Sequence, residues 1–268
     1  MPEKSDRYTH GHHESVLRSH TWRTAENSAG FLLAHLRPGQ DLADLGCGPG
    51  TITVDLARRV APGAVTGLDL SPDVIELART SHEPLPPNVR FEVGDVYNLP
   101  FDDASLDVVY MHQVLQHLSD PVRACTEVHR VLRVGGIAAL RESDYAAFAW
   151  APADPRLDRW MELYHQITRA NDAEADAGRY LPSWAREAGF SDVEVTSSTW
   201  TYHTAQEREW WGTLWADRVR HSNYAVHGLE YHLTSEQELS DIADAFIQWS
   251  HDDDGLFILP HVEVIATR

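Results

Sequence analysis

Three glycines in one short run carry the clearest chemical signal in the sequence. The run reads Asp44-Leu-Gly-Cys-Gly-Pro-Gly and contains Gly46, Gly48 and Gly50. Glycine permits positive φ angles, and it lets backbone N–H groups approach a ligand without a Cβ in the way. Asp44 offers a carboxylate that could reach the amino-acid tail of a ligand through water, and Cys47 is small enough to pack beneath the turn. The run predicts a ligand-binding turn.

Two further carboxylates follow at the ends of the next two predicted strands. Asp69 ends the second strand, about 20 residues after the turn, where an acidic side chain can accept both hydroxyls of a ribose. Asp95 follows the third strand, where a carboxylate can accept a hydrogen bond from an exocyclic amine such as that of adenine. The ordered set predicts a ligand that contains adenosine.

The spacing of the glycines separates two classes of adenosine cofactor. The dinucleotide fingerprint is G-x-G-x-x-G, but here Thr51 occupies the third glycine position and Gly50 comes one residue earlier. In that fingerprint the last glycine lets a helix N-terminus meet a pyrophosphate. S-adenosylmethionine has no phosphate, so the observed spacing favours this methyl donor over a nicotinamide cofactor.

The elements that must position these residues alternate between strands and helices. Ser71-Pro72 is a strong helix start, because the serine caps the helix and proline suits its first turn. Strand–helix alternation indicates βαβ units and right-handed crossovers, with ligands bound beyond the carboxyl ends of the strands. The predicted class is α/β, with a Rossmann-like, seven-stranded, mostly parallel sheet and helices on both faces. The predicted strands are 41–45, 64–70, 89–93, 106–111, 137–141, 193–195 and 257–266.

The domain prediction has an N-terminal arm and one main domain. Residues 1–36 form an arm and helix that close over the cofactor, and residues 37–268 form the catalytic domain. Insertions at about 145–178 and 205–255 are helical and rich in tryptophan and tyrosine. Their aromatic side chains either line a substrate cover or form the core of the insertions themselves. Because Trp210 and Trp211 are adjacent on a predicted helix, we expect only one of them to face inward.

Four motifs resemble those of class I S-adenosylmethionine-dependent methyltransferases: the glycine turn, Asp69-Leu-Ser, Gly94-Asp-Val, and Val114-Leu-Gln-His-Leu-Ser-Asp-Pro. Asn98-Leu-Pro-Phe-Asp-Asp, followed by Leu132-Arg-Val-Gly-Gly, is similar to the ubiquinone/menaquinone-type branch that acts on small molecules. The resemblance covers about residues 38–142 and identifies no specific acceptor.

The resemblance also implies roles for individual residues. The three glycines would contact the methionine moiety of the cofactor, with Asp44 and Cys47 in the same turn. Asp69 would contact the ribose with Leu70 beside it, and Asp95 with Val96 would contact the adenine. Met111 and His112, after the fourth strand, would line the cofactor.

His117 is the leading candidate for a general base. It follows the fourth strand on the ligand side of the sheet, and an unperturbed imidazole titrates near pH 6.5. A similar Leu-His-x-x-Asp arrangement occurs in phosphobase methyltransferases, where the histidine acts with an N-terminal tyrosine, and Tyr8 is the matching residue here. The alternative is that His117 only caps or packs the short helix before Pro121.

The amino-acid composition limits the classes of substrate and partner that the chain can bind. The 41 acidic and 22 basic residues give a formal charge of −19, which repels phosphate backbones and argues against a nucleic-acid substrate. A field of that sign favours neutral or cationic small substrates. Two cysteines make no metal site alone, and the polar N-terminus and absence of a long apolar run predict a cytoplasmic protein with no membrane span. The oligomeric state, a homodimer included, stays open.

Three functions are therefore compared. The first is an enzyme that transfers a methyl group from S-adenosylmethionine to carbon, oxygen or nitrogen of a small metabolite. The second is a non-catalytic protein that binds S-adenosylmethionine. The third is a nucleotide-dependent oxidoreductase, which the glycine spacing and Asp95 disfavour.

Overall fold

The computed structural model describes residues 6, 7, 9, 22–82 and 84–268. Its centre is a sheet that is parallel in its first half and antiparallel in its second. The strands are β1 (Leu42–Leu45), β2 (Val65–Asp69), β3 (Val89–Val93), β4 (Leu106–His112), β5 (Leu132–Ser143), β6 (Ala149–Ala151), β7 (Asp192–Tyr202) and β8 (Leu256–Thr267).

The strand order confirms the predicted Rossmann-like class with one correction. The order is β3-β2-β1-β4-β5-β8, and β7 pairs with β8 along almost its whole length. The sheet has eight strands rather than seven, because the short strand β6 pairs with residues 256–258 of β8. β5 pairs with residues 261–267 of the same strand, so β6 takes the edge of β8 that β5 leaves uncovered. A three-residue strand is too short to show a periodicity in the sequence.

Helices cover both faces of the sheet, as predicted. α2 packs with α1 on one face, and α4 and α6 pack on the other. Within the described ranges, none of the helices combines the length and apolar character needed to cross a membrane. The helices are α1 (Ala25–Ser28), α2 (Thr51–Val60), α3 (Pro72–Thr80), α4 (Pro121–Val131), α5 (Pro155–Ala170), α6 (Leu181–Glu187), α7 (Ala205–His221), α8 (Asn223–Glu230) and α9 (Glu236–Ser250).

The two aromatic-rich segments form one helical layer from α5, α7, α8 and α9, beside the antiparallel half of the sheet. Trp160 lies at its centre, with its ring centroid 4.6 Å from that of Trp215 and 5.1 Å from that of Phe246. Large aromatic side chains give a small layer most of its buried apolar area. Part of the aromatic content therefore forms the layer's own core, which is one of the two interpretations of the sequence.

Candidate active site

A cavity of about 440 Å³ opens at the carboxyl ends of the parallel strands. Its size is within the range of about 300–1,000 Å³ that is usual for small-molecule sites. One part, the glycine end, lies over β1, β2 and β3. The other, the aromatic end, lies toward β7 and α7. The glycine end is lined by Asp44, Gly46, Cys47, Gly48, Asp69, Leu70, Asp95 and Val96. The aromatic end is lined by Trp22, Tyr145, Phe148, Trp200, Tyr202, Trp210, Trp211 and Trp215.

The turn at the glycine end needs its glycines for two reasons. Gly46, Gly48 and Gly50 have φ angles of 70°, 55° and 80°, which L side chains rarely adopt. A Cβ on Gly46 would lie 2.4 Å from Cγ2 of Val114, and one on Gly50 would lie 2.5 Å from Cζ of Phe91. Backbone strain and close packing thus both require glycine at these two positions.

Asp69 joins the turn to the end of β2. Its Oδ2 accepts from the backbone N–H of Gly48 at 3.1 Å, and its Oδ1 accepts from that of Ser71 at 3.0 Å. An ionised carboxylate has about four lone-pair sites, so two hydrogen bonds leave capacity for further donors. Asp69 is held in place and can still accept from a diol in the cavity.

Asp44 lies beneath the turn in a different environment. It is buried, and its Oδ2 accepts a hydrogen bond from the Thr53 hydroxyl at 2.5 Å. Burial disfavours the charged form and raises the pKa of Asp44 to about 7, and the nearby charge of Asp69 adds to the increase. A cationic group in the cavity beside Asp44 would favour its ionised form.

The other predicted cofactor residues of the glycine end also line the cavity. Asp95 is exposed, and its Oδ1 accepts from the backbone N–H of Tyr97 at 2.9 Å, with Val96 between them. The side chain of Leu70 is 69% exposed at the rim. Cys47 is buried under the turn, and burial raises the pKa of its thiol, which therefore packs as a neutral side chain.

Met111 and His112 point to opposite faces of the sheet, so they do not act as a pair. His112 lines the cavity, and its Nε2 accepts from Nη1 of Arg141 at 2.8 Å. Met111 is fully buried in the core with Leu45 and Leu140 and is not among the cavity-lining residues. This corrects the expectation for Met111: successive side chains of a strand alternate between faces, so only one of the two residues can face the cavity.

His117 lines the cavity next to Gln116 in a single 3₁₀ turn, Leu115–His117. Its Nε2 lies 3.0 Å from Nε2 of Gln116. Burial, together with the positive charge of Arg23, lowers the pKa of His117 to about 3. The imidazole is therefore neutral near pH 7 and is a weak base. Its predicted partner Tyr8 lies outside the described residues.

Arg23 and Gln113 are cavity residues that the sequence analysis did not identify. Arg23 donates to Oε1 of Gln113, and Nε2 of Gln113 donates to the Ser143 hydroxyl at 2.6 Å. Gln113 follows β4 with a φ of 55°, an uncommon value for a residue with a side chain. Such strain often accompanies functional sites, but no sequence pattern announces it.

A buried ion pair supports the wall behind His112. Nε of Arg141 donates to Oε1 of Glu263 at 3.2 Å, and the Ser198 hydroxyl donates to the same oxygen at 2.5 Å. The guanidinium also lies 4.7 Å from the ring centroid of Trp200. β5, β7 and β8 are thus joined by polar contacts that orient both His112 and Trp200 at the cavity.

The aromatic end is lined by rings from three separate parts of the chain. Trp22 precedes α1, Tyr202 ends β7, and Trp210 and Trp211 belong to α7. The ring centroids of Trp22 and Trp210 are 5.6 Å apart, and those of Tyr202 and Trp211 are 4.5 Å apart. Both adjacent tryptophans line the cavity, which corrects the expectation that only one would face inward. Trp215 and Arg218 follow Trp211 at spacings of four and seven on the cavity-facing side of α7, and Trp210 reaches the cavity from the adjacent position.

Comparison with known proteins agrees with this geometry. Residues 43–140 match the family model described as a methyltransferase domain. An uncharacterized methyltransferase of Schizosaccharomyces pombe is 31% identical over 97% of this chain and 96% of its own length. The 27-O-demethylrifamycin SV methyltransferase of Amycolatopsis mediterranei is 31% identical over 70% of this chain and 68% of its own length.

The fold also has a close match among solved structures. The crystal structure of the YcgJ protein from Bacillus subtilis has a TM-score of 0.57 and 18% identity, and the match covers 91% of this chain and 98% of that one. The chain therefore shares its overall fold with this structure. The chain belongs to the methyltransferase family, as the resemblance of its motifs predicted.

Proposed function

We propose that this methyltransferase binds S-adenosylmethionine at the glycine end and transfers its methyl group to a small molecule held at the aromatic end. The observation that carries the proposal is the single cavity that joins the two ends. Methyl transfer needs the donor and acceptor in line and separated from water, and a continuous cavity with two unlike ends meets that need.

The residues of the glycine end fit each part of the cofactor. The turn around Gly46 leaves space for the methionine moiety, and Asp44 supplies a carboxylate for its ammonium group. The free lone-pair sites of Asp69 suit the ribose hydroxyls, and Asp95 with Val96 lies where the adenine would end. When bound, the cofactor supplies the electrophilic methyl group, so the protein's task is binding and alignment.

The aromatic end fits a small acceptor with a largely apolar body. Aromatic side chains line it on several sides and exclude water from the reacting atoms. The Amycolatopsis relative is named for the methylation of a natural product, which supports an acceptor of that general size. The proposal covers an acceptor that is methylated on carbon, oxygen or nitrogen.

His117 is the residue that we propose accepts a hydrogen bond, and if needed a proton, from the acceptor. It lies on the cavity wall after β4 and is neutral at physiological pH. Its lowered pKa means that full proton transfer becomes favourable only if the bound acceptor stabilises the imidazolium. We therefore assign it first to orientation of the nucleophile.

The N-terminal arm is proposed to close the cavity over both ligands. Oδ1 of Asp6 accepts from the backbone N–H of Ser119 at 2.9 Å, and Asp6 lines the cavity. Arg7 forms an ion pair with Glu230 at 3.2 Å, so these two positions connect the loop before α4 with α8. These contacts support residues 1–36 as an arm, with the segments near 145–178 and 205–255 as the substrate cover.

Calorimetric titration of the wild-type protein tests the cofactor assignment. We expect S-adenosylhomocysteine to bind and NADH not to bind. Asp69→Ala should weaken the binding of S-adenosylhomocysteine by about 10-fold to 100-fold, because hydrogen bonds to a charged group contribute about 1.5–3 kcal/mol. The matched control is Asp73→Ala, an exposed residue on the neighbouring helix α3. Tight binding of NADH without any response to S-adenosylhomocysteine would refute the proposal.

Catalysis is tested separately from binding. Transfer of a labelled methyl group into a metabolite extract, followed by mass identification of the product, separates an enzyme from a protein that only binds the cofactor. Cofactor binding without labelled product in any extract would favour the non-catalytic alternative.

A further inference from the structure

Two hydrogen-bond donors at the aromatic end have no acceptor among the described residues. Within the described part of the chain, neither the hydroxyl of Tyr202 nor Nε1 of Trp211 has a hydrogen-bond partner. The two residues are only 3% and 4% exposed, and both line the cavity. A buried donor without an acceptor costs about 1–3 kcal/mol, and an acceptor atom of a ligand in the cavity would offset this cost.

The charged side chains at the same end are cationic. Arg23 and Arg218 line this part of the cavity, and the guanidinium of Arg218 lies 5.2 Å from the ring centroid of Trp215. Among the described residues, the cavity-lining carboxylates lie elsewhere: three are at the glycine end, and Asp6 is beside Ser119. The charged side chains that line this end are therefore opposite in sign to the net charge of −19 of the whole chain.

The state of Tyr202 agrees with a donor role. Burial raises the pKa of its hydroxyl, although the positive charges of Arg23 and Arg218 act in the other direction. The hydroxyl therefore keeps its proton near neutral pH and can donate.

This combination of groups complements a carboxylate. Hydroxyl and indole N–H groups donate one hydrogen bond each, and a guanidinium donates in a fork that matches two carboxylate oxygens. Arg218 is 6% exposed, and a buried cation is stabilised by an opposite charge more strongly than an exposed one. The surrounding ring faces suit a planar, apolar skeleton.

We propose that the methyl acceptor is a planar, apolar molecule that carries a carboxylate, bound at the aromatic end by Tyr202, Trp211 and Arg218. This inference rests on the proposed function, because it specifies the acceptor of the same cavity. It also reverses the expectation from net charge that the substrate is neutral or cationic. A pocket with low-dielectric walls responds to its own nearest charges more than to distant surface charges, which salt screens.

The test compares two probes of the same shape that differ in charge. Naphthalene-2-carboxylate and naphthalene-2-carboxamide are titrated by calorimetry into the full-length protein saturated with S-adenosylhomocysteine. We expect the carboxylate to bind about tenfold more tightly, equivalent to one charge-assisted contact. Arg218→Gln and Tyr202→Phe should each reduce this preference. Arg220→Gln should keep it, because Arg220 lies on the same helix but forms an ion pair with Asp244 outside the cavity.

The outcomes distinguish this inference from the proposed function. If S-adenosylhomocysteine binds but the two probes bind equally, or neither binds at millimolar concentration, the carboxylate assignment is overturned and the methyltransferase proposal stands. A preference that survives both substitutions also overturns it. If S-adenosylhomocysteine does not bind, the proposed function fails, and the same probe titration without it still decides the carboxylate site. Circular dichroism of each variant verifies that the fold is intact.

Discussion

The two ends of the cavity are built in different ways. The glycine end comes from one continuous stretch of chain, and backbone groups and short side chains at successive strand ends form it. The aromatic end comes from segments distant in the sequence, among them Trp22, Tyr202 and Arg218, and large side chains form it. A site made by backbone geometry can bind one ligand in many relatives. A site made by side chains from distant segments can change its ligand while the fold stays the same.

The largest expected effect is a loss of stability on removal of the ion pair that supports the aromatic end. Glu263→Ala leaves the buried guanidinium of Arg141 without its carboxylate, and removing one partner of a buried pair costs about 3–5 kcal/mol. We expect the free energy of unfolding in urea to fall by that amount. Glu194→Ala, an exposed position on β7, is the control and should change it little. An unaltered denaturation midpoint for Glu263→Ala would contradict the role of the pair.

The next effect concerns the glycine end. Gly46→Ala adds a Cβ 2.4 Å from Cγ2 of Val114 at a φ of 70°. We expect the dissociation constant of S-adenosylhomocysteine to rise about 100-fold, because the turn must shift away from the ligand. The control is Gly135→Ala. Gly135 has a similar φ of 80°, but a Cβ there would have no atom within 4 Å, so this variant tests backbone strain without a steric clash. Equal affinities of the two variants would mean that the turn does not hold the cofactor.

A smaller effect, on kcat, is expected from the substitution of His117. A general base typically contributes about 100-fold to 10,000-fold, but the lowered pKa of His117 makes it a weak base. We therefore expect His117→Ala to lower kcat about tenfold, with cofactor affinity unchanged. The wild-type rate should show no inflection from this residue between pH 5 and 8. His251→Ala, at an exposed position, is the control. Full turnover by His117→Ala would remove its role.

The smallest expected effect is the change in cofactor affinity with pH as Asp44, at the glycine end, gains a proton. In the proposed function the ionised form of Asp44 binds the cofactor's ammonium group, and burial raises the pKa of this carboxyl to about 7. Affinity for S-adenosylhomocysteine should therefore be highest above pH 7 and fall as the pH is lowered, by about tenfold between pH 8 and pH 6. Asp44→Asn should bind more weakly, without this pH dependence. A variant that keeps the pH dependence would assign it to another group.

Much of the glycine end could be predicted because its information is local. The positions of Gly46, Asp69 and Asp95 relative to the predicted strands were enough, since parallel strands bring their carboxyl ends to one edge of the sheet. Met111 could not be assigned in the same way. β4 is buried along most of its length, so its apolar run has no alternation to show which side chains face the cavity.

The aromatic end could not be predicted for a physical reason of another kind. Trp210 and Trp211 both line the cavity, where they pack against Trp22 and Tyr202, and these contacts join segments that are far apart in the sequence. The positive φ of Gln113 and the short strand β6 likewise depend on their surroundings rather than on local preference.

Residue order alone determined the alternating elements, the class of the sheet and the glycine turn, because strand periodicity, helix starts and glycine spacing act over a few residues. Tertiary structure alone decided which rings line the cavity and which form the core of the helical layer. It also decided where the cations lie, since Arg23 and Arg218 both line the aromatic end of the cavity in a strongly acidic chain. Long-range packing brings such groups together, and no local pattern encodes it.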